Sequence, residues 1–184
     1  FINIAYLNMQ YMKNSKQNMK PQDIVLLLKI ISLDNDSWNQ SSVAADLGIS
    51  QAEISESVAR SKNSGLLDPK GKVVMKYALA EFLQYGIRYA FPQKPGAIVR
   101  GIPTAHSALP LNNEIQSNEK YVWAYAKGNT RGQSIEPLYP SVPEAVLKDE
   151  KLYELLAITD AIRVGQTREK EIAVEYLKKY LKIV

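Results

Sequence analysis

The sequence predicts an α+β chain, mainly α: an N-terminal winged helix-turn-helix, a connecting helix, and a C-terminal region with one β-hairpin plus helices. Three observations predict it. Apolar residues recur at helical spacing through 24–31, two short helical stretches flank Gly48, and a hairpin pattern with a polar tip follows at 66–74. These elements divide the chain into an N-terminal extension at 1–18, a winged-helix domain at 19–75, and a connecting helix with a C-terminal domain at 76–184.

In order along the chain, residues 1–18 are rich in Asn, Gln and Tyr and hold no sustained period, so a poorly ordered upstream extension is expected. Met19-Lys20-Pro21 reads as a natural start, with Pro21 suited to a first helical position. Ile24, Leu27, Leu28 and Ile31 then recur at i, i+3, i+4 and i+7, one apolar helical face that stops near Asp34-Asn35-Asp36. A short helix carrying Val43, Ala44 and Leu47 stops at Gly48, which tolerates a left-handed cap. Ser50-Gln51-Ala52-Glu53 has the form of a capping box, and the helix it opens turns Ile54 and Val58 inward and ends at Gly65. Two such helices across a glycine turn describe a helix-turn-helix. Leu66 to Val74, with Asp68-Pro69-Lys70-Gly71 at its tip, is the hairpin that would form a wing.

Residues 76–91 look helical and end at Phe91-Pro92, whereas 92–120 is rich in Pro and Gly and reads as irregular. Tyr121–Ala126 suggests a strand, Lys127-Gly128-Asn129 a turn, and Gln133–Leu138 a returning strand. Two apolar helical stripes close the chain. Leu152, Leu155, Leu156, Thr159 and Ile162 make the first, and Ile172, Val174, Tyr176, Leu177, Tyr180 and Leu181 the second, which reads equally as a dimer seam or an internal helix.

Composition excludes several classes of function. With no cysteine and a single histidine, His106, disulfide scaffolds and thiolate or polyhistidine metal sites are out, and no cofactor or metal is expected. No apolar run approaches a membrane span or a secretory leader, so a cytoplasmic protein is expected. Charge is informative in its distribution. Residues 20–56 hold six acids against Lys20 and Lys29, and residues 60–76 hold Arg60, Lys62, Lys70, Lys72 and Lys76 against Asp68 alone. A cationic stretch beside a small helical motif is the footprint of a phosphate-backbone contact.

Residues ~19–75 resemble the winged-helix domain of MarR-type regulators, chiefly through Val43-Ala44-Ala45-Asp46-Leu47-Gly48-Ile49-Ser50-Gln51. Beyond it, Phe82-Leu83 to Phe91-Pro92 and Arg100-Gly101-Ile102-Pro103-Thr104-Ala105-His106 are similar to a family of uncharacterised bacterial putative regulators that begin Met-Lys-Pro-Gln-Asp. The resemblance implies a homodimer that binds double-stranded DNA and regulates transcription, with the second helix in the major groove. The DNA-binding set is then Ser50, Gln51, Ala52, Ser55, Glu56, Arg60, Lys62, Lys70 and Lys72, with Ala59 also facing outward. Gln51 suits an adenine edge and the lysines suit phosphates. Glu56 departs from the basic residue such regulators often carry on this face, and a carboxylate there repels phosphate unless it accepts from a cytosine amino group.

No catalytic residue is assigned. The segment Arg100–His106, with Arg131, reads first as a structured loop that holds the winged helix against the C-terminal part. Its alternative role is a ligand-sensing or enzymatic site, which a pocket lined by Tyr121, Trp123 and Arg131 would favour. A further alternative is a protein-interaction or antitoxin-type module that uses the winged helix as scaffold. Gly165–Glu171 lacks the spacing of a phosphate-binding loop, so nucleotide binding is not expected.

Overall fold

The computed structural model describes residues 18–183, so all of the extension expected at 1–18 except Asn18 lies outside the described residues. In chain order the elements are α1 (Pro21–Leu33), α2 (Gln40–Leu47), α3 (Gln51–Asn63), α4 (Lys76–Glu81), α5 (Ile87–Ala90), β1 (Ile98–Pro103), β2 (Tyr121–Ala124), β3 (Thr130–Ser134), α6 (Val142–Ala145), α7 (Glu150–Val164) and α8 (Thr167–Leu181). The chain is therefore α+β and mainly helical, as the sequence predicts.

Helix α1 is more deeply placed than its periodicity implies. One apolar face was expected, but every residue from Asp23 to Ile31 is buried, because α1 packs against both α3 and α7. Burial on all sides includes Lys29, whose ammonium lies 3.0 Å from Asp46 at the end of α2 and 2.9 Å from Asp149 at the N-cap of α7. Desolvation pulls the Lys29 pKa down, but the hydrogen bonds and charges of Asp149 and Asp46 outweigh it and hold it above its ordinary value. One buried cation thus ties together three helices.

The turn between α2 and α3 follows its local signals. Asn39 accepts from the N–H of Ser42 at 2.8 Å to cap α2, and Gly48 takes φ 62°, where an L side chain would be strained. Ser50 accepts from the N–H of Glu53 at 3.2 Å. The predicted capping box is only half made. The Glu53 carboxylate turns away from Ser50, to Arg60 at 2.6 Å and Gln22 at 3.0 Å, because a buried guanidinium competes better for it than an exposed amide does.

The hairpin after α3 is reduced to a single antiparallel bridge, Leu67–Val74. Its tip is nevertheless well held, since the Asp68 carboxylate accepts from the N–H groups of Lys70, Lys72 and Val73 at 3.1, 2.6 and 2.7 Å. The next helix runs from α4 through a π-helical turn, Phe82–Gly86, into α5. Leu79, Leu83 and Ile87 line its buried side, and Tyr77, Tyr85 and Tyr89 are 74, 64 and 79% exposed on the other.

The C-terminal β-structure corrects the predicted hairpin. β1 arises in the segment read as irregular and pairs antiparallel with both β2 and β3, so β2 and β3 run parallel and the three close into a small barrel. After β2 the chain crosses from one edge of β1 to the other at Gly101. A Cβ on Gly101 would lie 1.9 Å from the Trp123 carbonyl oxygen, and one on Gly128 would lie 2.2 Å from that of Gly101. Only glycine fits where backbones approach this closely. In the last helix Ala173, Val174, Leu177 and Leu181 are buried and α8 packs on α7, whereas Ile172, Tyr176 and Tyr180 of the same stripe are half-buried. One buried apolar cluster runs from Ile24 to Leu181, so 19–75 and 76–184 share a core. No helix among the described residues is long and apolar enough to cross a membrane.

Candidate nucleic-acid interface

Helix α3 divides its residues cleanly between two sides. Ile54, Ser57, Val58, Arg60 and Ser61 are buried, whereas Gln51, Ala52, Ser55, Glu56, Ala59 and Lys62 are exposed. Ser50 is exposed too, but its hydroxyl oxygen is engaged as the helix cap. The outward face is thus short and nearly flat, with two alanines and a serine along its middle.

Arg60 must be withdrawn from the predicted phosphate contacts. Its guanidinium is 2% exposed and grips both Asp23 oxygens, Nε at 2.9 Å and Nη2 at 2.7 Å, while Nη2 also reaches Glu53 at 2.6 Å. Ser57 completes the cluster by donating to Asp23 at 2.6 Å. Burial acts to lower the Arg60 pKa, yet the carboxylates around it raise it further, so the group is a fixed internal cation. Desolvation likewise pushes Glu53 up, and Arg60, Gln22 and Lys20 together hold it below its ordinary value. Arg60 also lies 3.5 Å from the exposed Glu56 carboxylate, which offsets the unfavourable charge on that face.

Lys72 is partly withdrawn as well. Its ammonium donates to the Trp38 carbonyl at 2.7 Å and sits 4.9 Å over the Trp38 ring, while the Trp38 indole donates back to the Lys72 carbonyl at 2.9 Å. Trp38, which no local pattern singles out, thus fixes the hairpin against the loop before α2. Lys62 and Lys70 remain exposed, and the two are brought together: the Lys62 stem passes Gly71, where a Cβ would lie 3.3 Å from it. The C-terminal end of α3 and the hairpin tip therefore form one cationic corner.

The segment Arg100–His106 separates into two kinds of residue. Thr104 is fully buried and donates to Asp160 of α7 at 2.9 Å, beside the Trp123 indole, which donates to the same oxygen at 2.7 Å. Burial raises the Asp160 pKa, opposed by Arg163 3.2 Å away and by these two donors. His106 is 4% exposed, packs at a tilt against Tyr121 with ring centroids 4.5 Å apart, and donates from Nε2 to the Glu119 carbonyl at 2.9 Å. Its Nδ1 lies 3.5 Å from Glu169 in the first turn of α8. Both residues hold the barrel onto α7 and α8, and not residues 19–75 onto the C-terminal part as expected. Arg100 and Arg131, by contrast, are exposed on β1 and β3.

Two open clefts lie beside this segment. One, of about 580 Å³, is lined by His106, Ser107, Asn112, Gln116 and Lys120, and the other, of about 530 Å³, by Glu114, Gln116, Gln166, Arg168 and Glu169. Neither is lined by Tyr121, Trp123 or Arg131, so they do not form the pocket that would favour a sensor or enzyme. No group of three or more His, Asp or Glu among the described residues has the arrangement of a metal site. Compared with protein families, curated proteins and solved structures, the chain matches none of them, and its functional reading rests on its own residues and geometry.

Proposed function

We propose that the protein is a winged helix-turn-helix transcriptional regulator of MarR type that binds double-stranded DNA sequence-specifically in a bacterial cytoplasm. The observation that carries the reading is the open outward face of α3, which no other element among the described residues covers and which ends in Lys62 beside the Lys70 hairpin tip. A helix with Ala52, Ser55 and Ala59 outward can approach base edges closely, with Gln51 in its first turn suited to an adenine. Lys62 and Lys70 then fix the module on phosphates.

The test is binding to random duplex DNA across a salt series, followed by selection of the bound sequences. The wild type enriches a preferred sequence, Gln51→Ala loses that preference while retaining affinity, and Lys62→Ala/Lys70→Ala makes the log–log salt slope shallower by about 2. Absence of binding at low salt overturns the reading.

One observation favours a second reading, a protein-interaction surface. The exposed row Tyr77, Tyr85 and Tyr89 is rich in the amphipathic side chain enriched at interfaces, and the homodimer is its simplest case. Sedimentation of the wild type beside Tyr85→Ser/Tyr89→Ser distinguishes a dimer on this face from a monomer.

A further inference from the structure

Arg100 and Arg131 stand directly opposite each other in the antiparallel pair of β1 and β3. The Arg100 carbonyl accepts from the Tyr125 N–H at 3.1 Å, on the other side of β1. Successive residues of a strand point their hydrogen-bonding groups to alternate sides, so Arg100 and Arg131 form a non-hydrogen-bonded pair, the closer kind, with Cβ atoms about 5 Å apart. Both side chains are exposed and leave the sheet on the same face. Like charges directly opposite each other destabilise a sheet, and such a pair is ordinarily relieved by a carboxylate. None is supplied: residues 94–105 and 121–135, which carry the whole barrel, contain Lys94, Arg100, Lys127 and Arg131 and no Asp or Glu. Ion pairs among the described residues engage Arg60 and Arg163 but neither of these two arginines.

The backbone beneath the pair is held in place. Gly128 packs onto Gly101, the neighbour of Arg100, and so holds the turn that carries the exposed Lys127 beside the pair. The register of β1 with β3 and the packing of Gly128 on Gly101 thus bring two exposed arginines and an exposed lysine to neighbouring backbone positions. Planar forks match the oxygens of a tetrahedral oxyanion bidentately, and three positive charges suit a phosphate group better than a single carboxylate.

We propose that Arg100, Arg131 and Lys127 form a binding site for a phosphate group on the barrel. The site is separate in sequence from α3 and the hairpin, and it does not depend on the DNA reading. A nucleic-acid backbone or a free phosphate ester offers the same chemistry, and the experiment separates them.

Inorganic phosphate is titrated into the full chain at low salt while backbone amide resonances are followed, for the wild type, Arg100→Gln/Arg131→Gln and Arg131→Lys. Because both arginines are exposed, the double variant should keep the wild-type far-ultraviolet circular dichroism, and a variant that loses it is replaced by the single Arg131→Gln. The expected result is saturable movement of the Arg100, Gly128 and Arg131 amides in the wild type. Affinity should be roughly tenfold weaker or lost in the double variant, and intermediate in Arg131→Lys, which keeps the charge without the fork. No saturable movement, or the same affinity in all three proteins, overturns the proposal. The same variants are then bound to duplex DNA. A salt slope shallower by about 2 in the double variant identifies the phosphate as that of a nucleic-acid backbone, and an unchanged slope with lost phosphate binding identifies a free ester.

Discussion

The α1–α3 region and the three-stranded barrel spend the same residue types in opposite ways. In the helical region Arg60 is inside, gripped by Asp23 and Glu53, and Gly48 is needed for its positive φ. In the barrel Arg100 and Arg131 are outside without carboxylates, and Gly101 and Gly128 are needed for the space that a side chain would fill. An internal arginine with its carboxylates satisfied is a fixture of the fold, whereas an external pair of unneutralised arginines costs stability and is available to a ligand. Cationic residues near a short exposed helix are therefore no guide to phosphate contacts until their neighbours are known.

Four outcomes sharpen or break this contrast, beginning with the largest. Alanine at Gly101 or Gly128 meets backbone that cannot yield, so either variant should lose on the order of 4 kcal/mol or more, whereas Gly48→Ala should lose about 1–2 kcal/mol for its left-handed cap alone. Urea denaturation followed by Trp fluorescence measures both, and similar losses at the three sites would erase the distinction. Next, Arg60→Ala strands the buried Asp23 carboxylate in the core and should cost about 3–5 kcal/mol by the same assay. A loss below about 1 kcal/mol would show that Arg60 swings free.

Acidification should separate the regions by sign. Glu53 and Asp149 are held below their ordinary values by their cationic and hydrogen-bonding partners, against a desolvation that pushes each up. Their stabilisation is full above the unfolded carboxylate range near about pH 4 and is lost as pH falls through their lower folded values. Asp160 is raised by burial, so it costs stability when ionised and that cost is relieved as pH falls through its folded value. Denaturation midpoints should therefore rise before they fall on descending from neutrality, and Asp160→Asn should remove the rise. The smallest effect is on the barrel surface: Arg100→Ala or Arg131→Ala should leave stability within about 0.5 kcal/mol of the wild type, or raise it slightly. A large loss at either site would reassign that arginine to the fold.

What was legible in the sequence was whatever a few neighbouring residues decide. Gly48 and Ser50 carry their own caps, and α7 and α8 begin and end close to where their apolar stripes do. The barrel was not legible, because its pairing joins residues 98–103 to segments distant in sequence, Pro103 to Val122 and Ile98 to Gln133, and its glycines matter only once those strands meet. Within the candidate site the split of α3 into Ile54 and Val58 inward against Gln51 and Ser55 outward followed from helical period. The fate of its cations did not. Asp23 lies on another helix from Arg60, and Trp38 is 34 positions from Lys72, so neither partnership leaves a local pattern.

The burial of α1 on every side has a consequence for anyone who would cut the chain. A fragment ending near residue 75 would keep α3 and the hairpin but strip α7 from α1, leaving Lys29 without Asp149 and a run of aliphatic side chains facing water. Such a fragment should associate or unfold rather than stand alone. Helix α3 takes its footing from the whole chain, and it cannot be moved as a module without the helix that lies beneath it.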